Sequence, residues 1–148
     1  MITYVNGNIL EFNGEAIINT VNCCGVMGAG LALQVKKKWP ECFKAYQTAF
    51  NNKQLSVGKM FVWHNIKAPP KYIINFPTKN YWGHKSKIEY IDTGLQDLVR
   101  QINQLNITSI AVPPLGCGHG GLDWSVVRPM IEEALVKVNS NICIYGKK

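Results

Sequence analysis

A chain of 148 residues with 47% hydrophobic side chains is long enough to bury its own core, and one domain is expected over residues 1–148. No stretch approaches the roughly 18 uninterrupted apolar residues of a membrane span, and Met1–Gly7 has neither the basic nor the apolar region of a secretory leader. The net charge of +7, from 16 Lys and Arg against 9 acidic residues, suits phosphate-rich partners, although a solvated cationic surface gives the same total.

In chain order, Ile2–Val5 and Ala16–Val21 predict short strands. Leu31–Trp39 carries Leu31, Leu33 and Val35 and ends in Lys36, Lys37 and Lys38, which predicts a helix whose terminal cations complement the dipole. Pro40 stops that helix and opens the next, Glu41–Asn51, at its first position. Lys59–His64 and Lys71–Phe76 predict strands on either side of a Pro69-Pro70 turn. Between Lys87 and Leu105, Ile88, Ile91, Leu95, Leu98, Val99, Ile102 and Leu105 recur at threes and fours, the clearest amphipathic helix of the chain. Ser109–Val112 predicts another strand. A last helix places Val127, Met130, Ile131, Ala134, Leu135 and Val138 on one face. It is expected to start near Asp123 or Ser125, because Pro129 needs a position whose N–H has no partner. Asn141–Tyr145 predicts the final strand. Strands alternating with helices imply an α/β sandwich with ligand loops at strand ends.

Two of those loops are rich in glycine. The first runs Thr20-Val21-Asn22-Cys23-Cys24-Gly25-Val26-Met27-Gly28-Ala29-Gly30-Leu31, the second Pro113-Pro114-Leu115-Gly116-Cys117-Gly118-His119-Gly120-Gly121. Each lies between a predicted strand and a predicted helix, where glycine lets the backbone approach a ligand and present bare N–H groups to an anion. Two such loops can grip a diphosphate from both sides; a single one would read equally well as a tight turn. Gly25, Gly28 and Gly30 reverse the dinucleotide fingerprint and no acid follows at the required spacing, so a Rossmann reading is the weaker one; no G-K-[ST] is present, so a Walker cradle is excluded. Lys79, in Asn75-Phe76-Pro77-Thr78-Lys79, is the only charged residue in these three segments.

Next to it, Lys79, Lys85 and Lys87 surround Tyr81, Trp82 and His84. Flat rings interleaved with cations form the pattern of single-strand nucleic acid contact, with core packing of Trp82 as the plain alternative. The five cysteines, Cys23, Cys24, Cys42, Cys117 and Cys143, are odd in number and lack any CxxC pair, so free thiols in a reducing, cytoplasmic compartment are expected. His64 and His84 show no metal-ligand spacing, and no metal is expected.

At Gly7-Asn8-Ile9-Leu10, the two glycine loops, Asn75-Phe76-Pro77-Thr78-Lys79 and Gly94-Leu95-Gln96-Asp97-Leu98, the chain resembles the macrodomains, modules that bind ADP-ribose. Within them it is similar to the DarG group, DNA ADP-ribosyl glycohydrolases that act as antitoxins to DarT-type DNA ADP-ribosyltransferases. The resemblance covers essentially the whole chain, and Asn-Phe-Pro-Thr-Lys is its specific segment. It implies a three-layer α/β/α sandwich with a mixed central sheet, and removal of ADP-ribose from thymine in single-stranded DNA. The alternatives are hydrolysis of protein-carboxylate ADP-ribose or ADP-ribose 1″-phosphate, and a reader that turns nothing over. ADP-ribosylated single-stranded DNA and a cognate toxin are the implied partners, with no membrane, no cofactor and a monomeric chain.

The same resemblance implies roles. Asn8 and Ile9 meet the adenine, Asn8 standing where many macrodomains carry an aspartate. Thr20, Val21 and Asn22 begin the first loop, where Asn22 orients the distal ribose. Gly25, Val26, Met27, Gly28, Gly30 and Leu31 wrap the diphosphate from one side. Leu115, Gly116, Cys117, Gly118, His119 and Gly120 wrap it from the other. Thr78 joins the site, and Gly120 stands where related terminal-ADP-ribose glycohydrolases place an aspartate. Lys79 is the expected catalytic residue. A lysine amine in water is protonated at neutral pH; packing against Phe76, Tyr81 and Trp82 would favour the neutral amine. It would then either attack the anomeric carbon, or as an ammonium polarise the departing base while water attacks. His119 reads either as a proton shuttle or as a loop histidine that only contacts phosphate or solvent, and Cys117 reads as a small packing residue rather than a nucleophile. Tyr81, Trp82, Lys85 and Lys87 are the candidate DNA contacts.

Overall fold

A computed structural model describes residues 1–148. The chain runs β1 (Ile2–Tyr4), a 3-10 turn (Ile9–Glu11), β2 (Ala16–Val21), α1 (Gly30–Lys38), α2 (Pro40–Asn51) and β3 (Phe61–His64). It continues through β4 (Tyr72–Pro77), α3 (Ile88–Leu105), β5 (Ser109–Val112), α4 (Trp124–Leu135) and β6 (Asn141–Ile144). Three residues carry no hydrophobic period, so sequence does not announce the 3-10 turn. Its signal is Asn8, whose side chain accepts from the Leu10 N–H at 3.0 Å and caps it. The start of α4 is as expected, with Asp123 accepting from the Ser125 N–H at 2.9 Å. Pro129, however, lies inside the helix, beyond the first turn whose N–H groups are free. Its ring removes the bond to the Ser125 carbonyl, and the packing of Val127 and Ile131 carries the helix through. The helix stops at Leu135, so Val138 enters the core from the following turn.

The six strands are ordered β1-β6-β5-β2-β4-β3, all neighbours parallel except β3 against β4, so the sheet is mixed. Side-chain alternation splits the core in two. Ile18, Tyr72, Ile74 and Phe76 face one way, onto Ile91, Leu95, Leu98 and Ile102 of α3 and Val127 and Ile131 of α4. Ile17, Ile73 and Ala111 face the other way, onto the 3-10 turn, Val35 of α1 and Cys42 of α2. Each of these fully buried aliphatic side chains contributes about 1.5–3 kcal/mol, and together they define three layers. Two asparagines interrupt the apolar inner face: Asn19 and Asn75 are register partners on β2 and β4 and wholly buried. Asn19 donates to Asn75 Oδ1 at 3.0 Å, and Asn75 donates to the Phe61 carbonyl at 3.1 Å.

Because β2, β4, β5 and β6 are parallel, the loops that follow them all emerge at the same edge of the sheet. That edge holds the site.

Candidate active site

A cleft of about 1310 Å³ opens there, lined by the ends of β2, β4 and β5, by their loops, and by Trp124, Gly146 and Lys147. Lys79, Lys85, Lys147, His84 and His119 line it, and no carboxylate does. A smaller hollow of about 470 Å³ lies at the opposite edge, among Glu15, Asn65, Lys67 and Ser109, away from both glycine loops.

The first loop is shaped from within by Asn22. Its Oδ1 accepts from the Cys24 N–H at 3.0 Å and from the Tyr46 hydroxyl at 2.6 Å, and its Nδ2 donates to the Val26 carbonyl at 2.9 Å. Asn22 is therefore the turn-forming residue of the loop as well as part of the cleft wall, with one amide hydrogen left for a ligand. The loop delivers the chain to α1, whose N-cap, Ala29, has no capping side chain and whose first turn has no acid. Gly28, Gly30 and Leu31, at and just before this turn, line the cleft, and the first N–H groups of a helix have no partner within it. Gly30 adopts φ +57°, and the His119 ring lies 3.5 Å from where its Cβ would stand, so the two glycine loops meet over the cleft.

The second loop is held by backbone bonds from Gly121 N–H to the Gly118 carbonyl and from Leu122 N–H to the Gly116 carbonyl. A Cβ at Gly120 would stand 2.4 Å from the Gly116 carbonyl oxygen, so in this conformation no side chain fits there. Cys117 donates its thiol to the Leu115 carbonyl; burial, with Asp123 beside it, pushes that thiol up to about 11 and keeps it protonated, in line with a packing role. Burial likewise pushes Cys23 up to about 11.

The loop after β4 is stitched to both others: Cys23 N–H donates to the Asn80 carbonyl and Ser86 N–H to the Gly120 carbonyl. Lys79 stands between them, half-buried, with Nζ donating to the Trp82 carbonyl at 3.3 Å. The expected apolar packing around it is absent. Phe76 alternates to the α3 face and is fully buried there, while Tyr81 and Trp82 are exposed.

Sixteen of the expected site residues meet at the cleft wall: Thr20, Val21, Asn22, Val26, Gly28, Gly30, Leu31, Thr78, Lys79, Trp82, Lys85, Gly116, Cys117, Gly118, His119 and Gly120. Others lie behind or beside it. Met27 packs on Val21 and Tyr46, Leu115 belongs to the main core, and Gly25 backs onto the Phe50 ring. Asn8 caps the 3-10 turn and Ile9 is buried beneath it. Tyr81 stands outside the cleft wall, and Lys87 is the N-cap of α3 with its ammonium over the Tyr90 ring. Sequence reasoning passed over Trp124, Gly146 and Lys147, which line the cleft. Their signal is topological: they follow β5 and β6, whose parallel pairing brings their ends to the same edge.

The Macro domain family profile matches residues 18–131. The DNA ADP-ribosyl glycohydrolase of Mycobacterium tuberculosis is 53% identical over 135 residues, covering 90% of this chain and 38% of that protein. The solved macrodomain of Mycobacterium tuberculosis DarG superimposes with a TM-score of 0.96 at 49% identity, over 100% of this chain and 99% of that one. Thermosipho africanus DarTG, solved in complex with ADP-ribose, matches with a TM-score of 0.92 at 34% identity, over 97% of this chain and 41% of that one. The chain thus spans about two fifths of the length of the DNA ADP-ribosyl glycohydrolases it matches. It belongs to the macro domain family, in its DarG group.

Proposed function

We propose that the cleft binds ADP-ribose and hydrolyses its N-glycosidic bond to a DNA base, thymine in single-stranded DNA. The observation that carries this reading is the cleft wall, which offers a lysine beside the loops and no carboxylate. Where related glycohydrolases use an aspartate, Gly120 leaves no room for a side chain; among the lysines of the wall we assign the chemistry to Lys79, which directly follows β4 in the Asn-Phe-Pro-Thr-Lys segment that carries the DarG resemblance. The likeness to DarG macrodomains supports the substrate, and the match to DarTG supports a DarT-type toxin as the partner whose modification is reversed.

In this reading the uncapped first turn of α1 and the second loop hold the diphosphate with N–H groups. The free amide hydrogen of Asn22 orients the distal ribose. Asn8 keeps one lone pair of Oδ1 for the adenine amino group, with Ile9 beneath the ring. Hydrolysis breaks the bond between the anomeric carbon and the base nitrogen. Water supplies the hydroxyl to the carbon and a proton to the base. Lys79 acts either as the ammonium that donates to the departing base, or as the amine that attacks the anomeric carbon, expels the base with a proton and opens the ribose to a Schiff base, which water then hydrolyses to free the amine. Reductive trapping separates the two, since only the second leaves a lysine adduct.

The test is release of ADP-ribose from a modified oligonucleotide. Lys79→Ala is expected to lose about 10²–10⁴-fold in rate while still binding ADP-ribose in calorimetry. Full activity in that variant removes Lys79 from the mechanism. Parallel assays with an ADP-ribosylated protein ester and with ADP-ribose 1″-phosphate measure the competing substrates. A wild type silent on all three is a reader.

A further inference from the structure

The turn after Lys79 carries surface that hydrolysis of a small ligand does not require. Trp82 is 57% exposed and Tyr81 44%, whereas Tyr46 and Phe76 are wholly buried. The Tyr81 and Trp82 rings lie 5.4 Å apart at 35°, and the His84 ring lies 5.1 Å from Tyr81. His84 N–H donates to the Tyr81 carbonyl, so the three rings sit on one tight turn. This turn is anchored at both ends, at Asn80 by Cys23 and at Ser86 by Gly120. The rings therefore form a fixed ledge at the cleft mouth, which Trp82 and His84 also line. The same turn runs on into Lys85 and Lys87 with no acid before Glu89, and Lys85 lines the cleft with Trp82 and His84. The Nζ of Lys79 bonds to the Trp82 carbonyl, so the ledge begins where the chemistry is placed.

We propose that Tyr81, Trp82 and His84 form a stacking ledge for an unpaired base next to the modified one, with Lys85 and Lys87 neutralising phosphates of the same strand. The proposal rests on the reading that the cleft handles modified DNA, and it names how the strand is held. Stacking needs an open base face, which a duplex covers and a single strand offers. The ledge thus selects a single strand over a duplex and seats it beside Lys79.

Binding of unmodified, labelled oligothymidylate to the full chain tests this without any hydrolysis, so its failure is distinguishable from failure of the glycohydrolase reading. Wild type is expected to bind the single strand in preference to the matching duplex. Trp82→Ala should weaken strand binding by about tenfold, the loss of one stacked base, and Trp82→Phe, which keeps a face, should restore most of it. Lys85→Gln with Lys87→Gln should flatten the slope of log affinity against log salt by about 1.4, from about 0.7 per phosphate. ADP-ribose affinity, measured on each variant, should fall by far less than strand affinity. The proposal is overturned by strand affinity in Trp82→Ala equal to wild type, by duplex binding as tight as single-strand binding, or by equal losses for strand and ADP-ribose.

Discussion

Gly120→Ala isolates the contact that keeps a side chain out of the second loop. The added Cβ would meet the Gly116 carbonyl oxygen at 2.4 Å, its carbon at 2.9 Å and its Cα at 3.0 Å. These are backbone atoms, so no rotamer relieves the clash, and the loop must open by about 1 Å to reach ordinary contact. It is bonded on both sides, through the Gly120 carbonyl to Ser86 and through the Gly116 carbonyl to Leu122, so opening strains or breaks one of those bonds. Overpacking of this kind costs about 1–3 kcal/mol. For a chain of this length that lowers Tm by roughly 2–12 °C. ADP-ribose affinity should fall with it, because the displaced loop lines the cleft. Gly118→Ala is the matched control: its Cβ meets nothing within 4 Å, and its Tm should stay within about 2 °C of wild type. Calorimetric melting and ADP-ribose titration read both variants. Wild-type Tm and affinity in Gly120→Ala, or an equal drop in Gly118→Ala, refute the reasoning. Gly120→Asp should show the same loss and gain no activity on protein esters, since the loop that would carry the carboxylate no longer has its shape.

Tyr46→Phe removes the buried hydroxyl that bonds Asn22. It should cost about 1–2 kcal/mol in urea unfolding and weaken ADP-ribose binding through the relaxed first loop; unchanged values in both would detach Tyr46 from that loop. Burial pushes the Cys42 thiol from its ordinary 9.0 up to about 12, so the folded chain holds that proton more tightly than the unfolded one. Its contribution is therefore whole below pH 9 and is lost as pH rises towards 12, at up to about 1.4 kcal/mol per pH unit. Urea unfolding at pH 8 and pH 10.5 should show a shallower fall in Cys42→Ala than in wild type, and equal falls would show that the thiol is not linked to folding.

Regular elements were legible wherever a period of two or three to four repeated. Ala16–Val21 and Ser109–Val112 are strands residue for residue, and Ile91, Leu95, Leu98 and Ile102 mark the buried face of α3. Loops have no period, and the site is made of loops. Glycine content located both of them, but it could not tell Met27 and Leu115, which turn into the core, from Val26 and Gly116, which face the cleft. The surroundings of Lys79 were misread for a related reason. Phe76 is three residues before it in sequence, yet strand alternation sends that ring into the core under α3, whereas Lys79 lies past the strand on the cleft wall. Trp124, Gly146 and Lys147 were hidden because only the parallel order of β5 and β6 brings them to the cleft.

The two buried asparagines of β2 and β4 bear on alignment. Asn19 Oδ1 has no partner, so the pair leaves a buried carbonyl unsatisfied, and two aliphatic residues would pack there without that cost. An aliphatic pair, however, tolerates sliding of β4 along β2, since Ile73 and Ile74 are close in shape. A slide of one residue would turn Asn75 to the other face, away from Asn19 and the Phe61 carbonyl, and strand its amide among Phe76, Leu95 and Ile18. Asn19 and Asn75 thereby act as a keyed joint two steps below the cleft. They fix the height at which Val21 hands over to the first glycine loop and Pro77 to Thr78 and Lys79. Lys79 and the first glycine loop start level with each other because this amide pair favours the one alignment of β2 and β4.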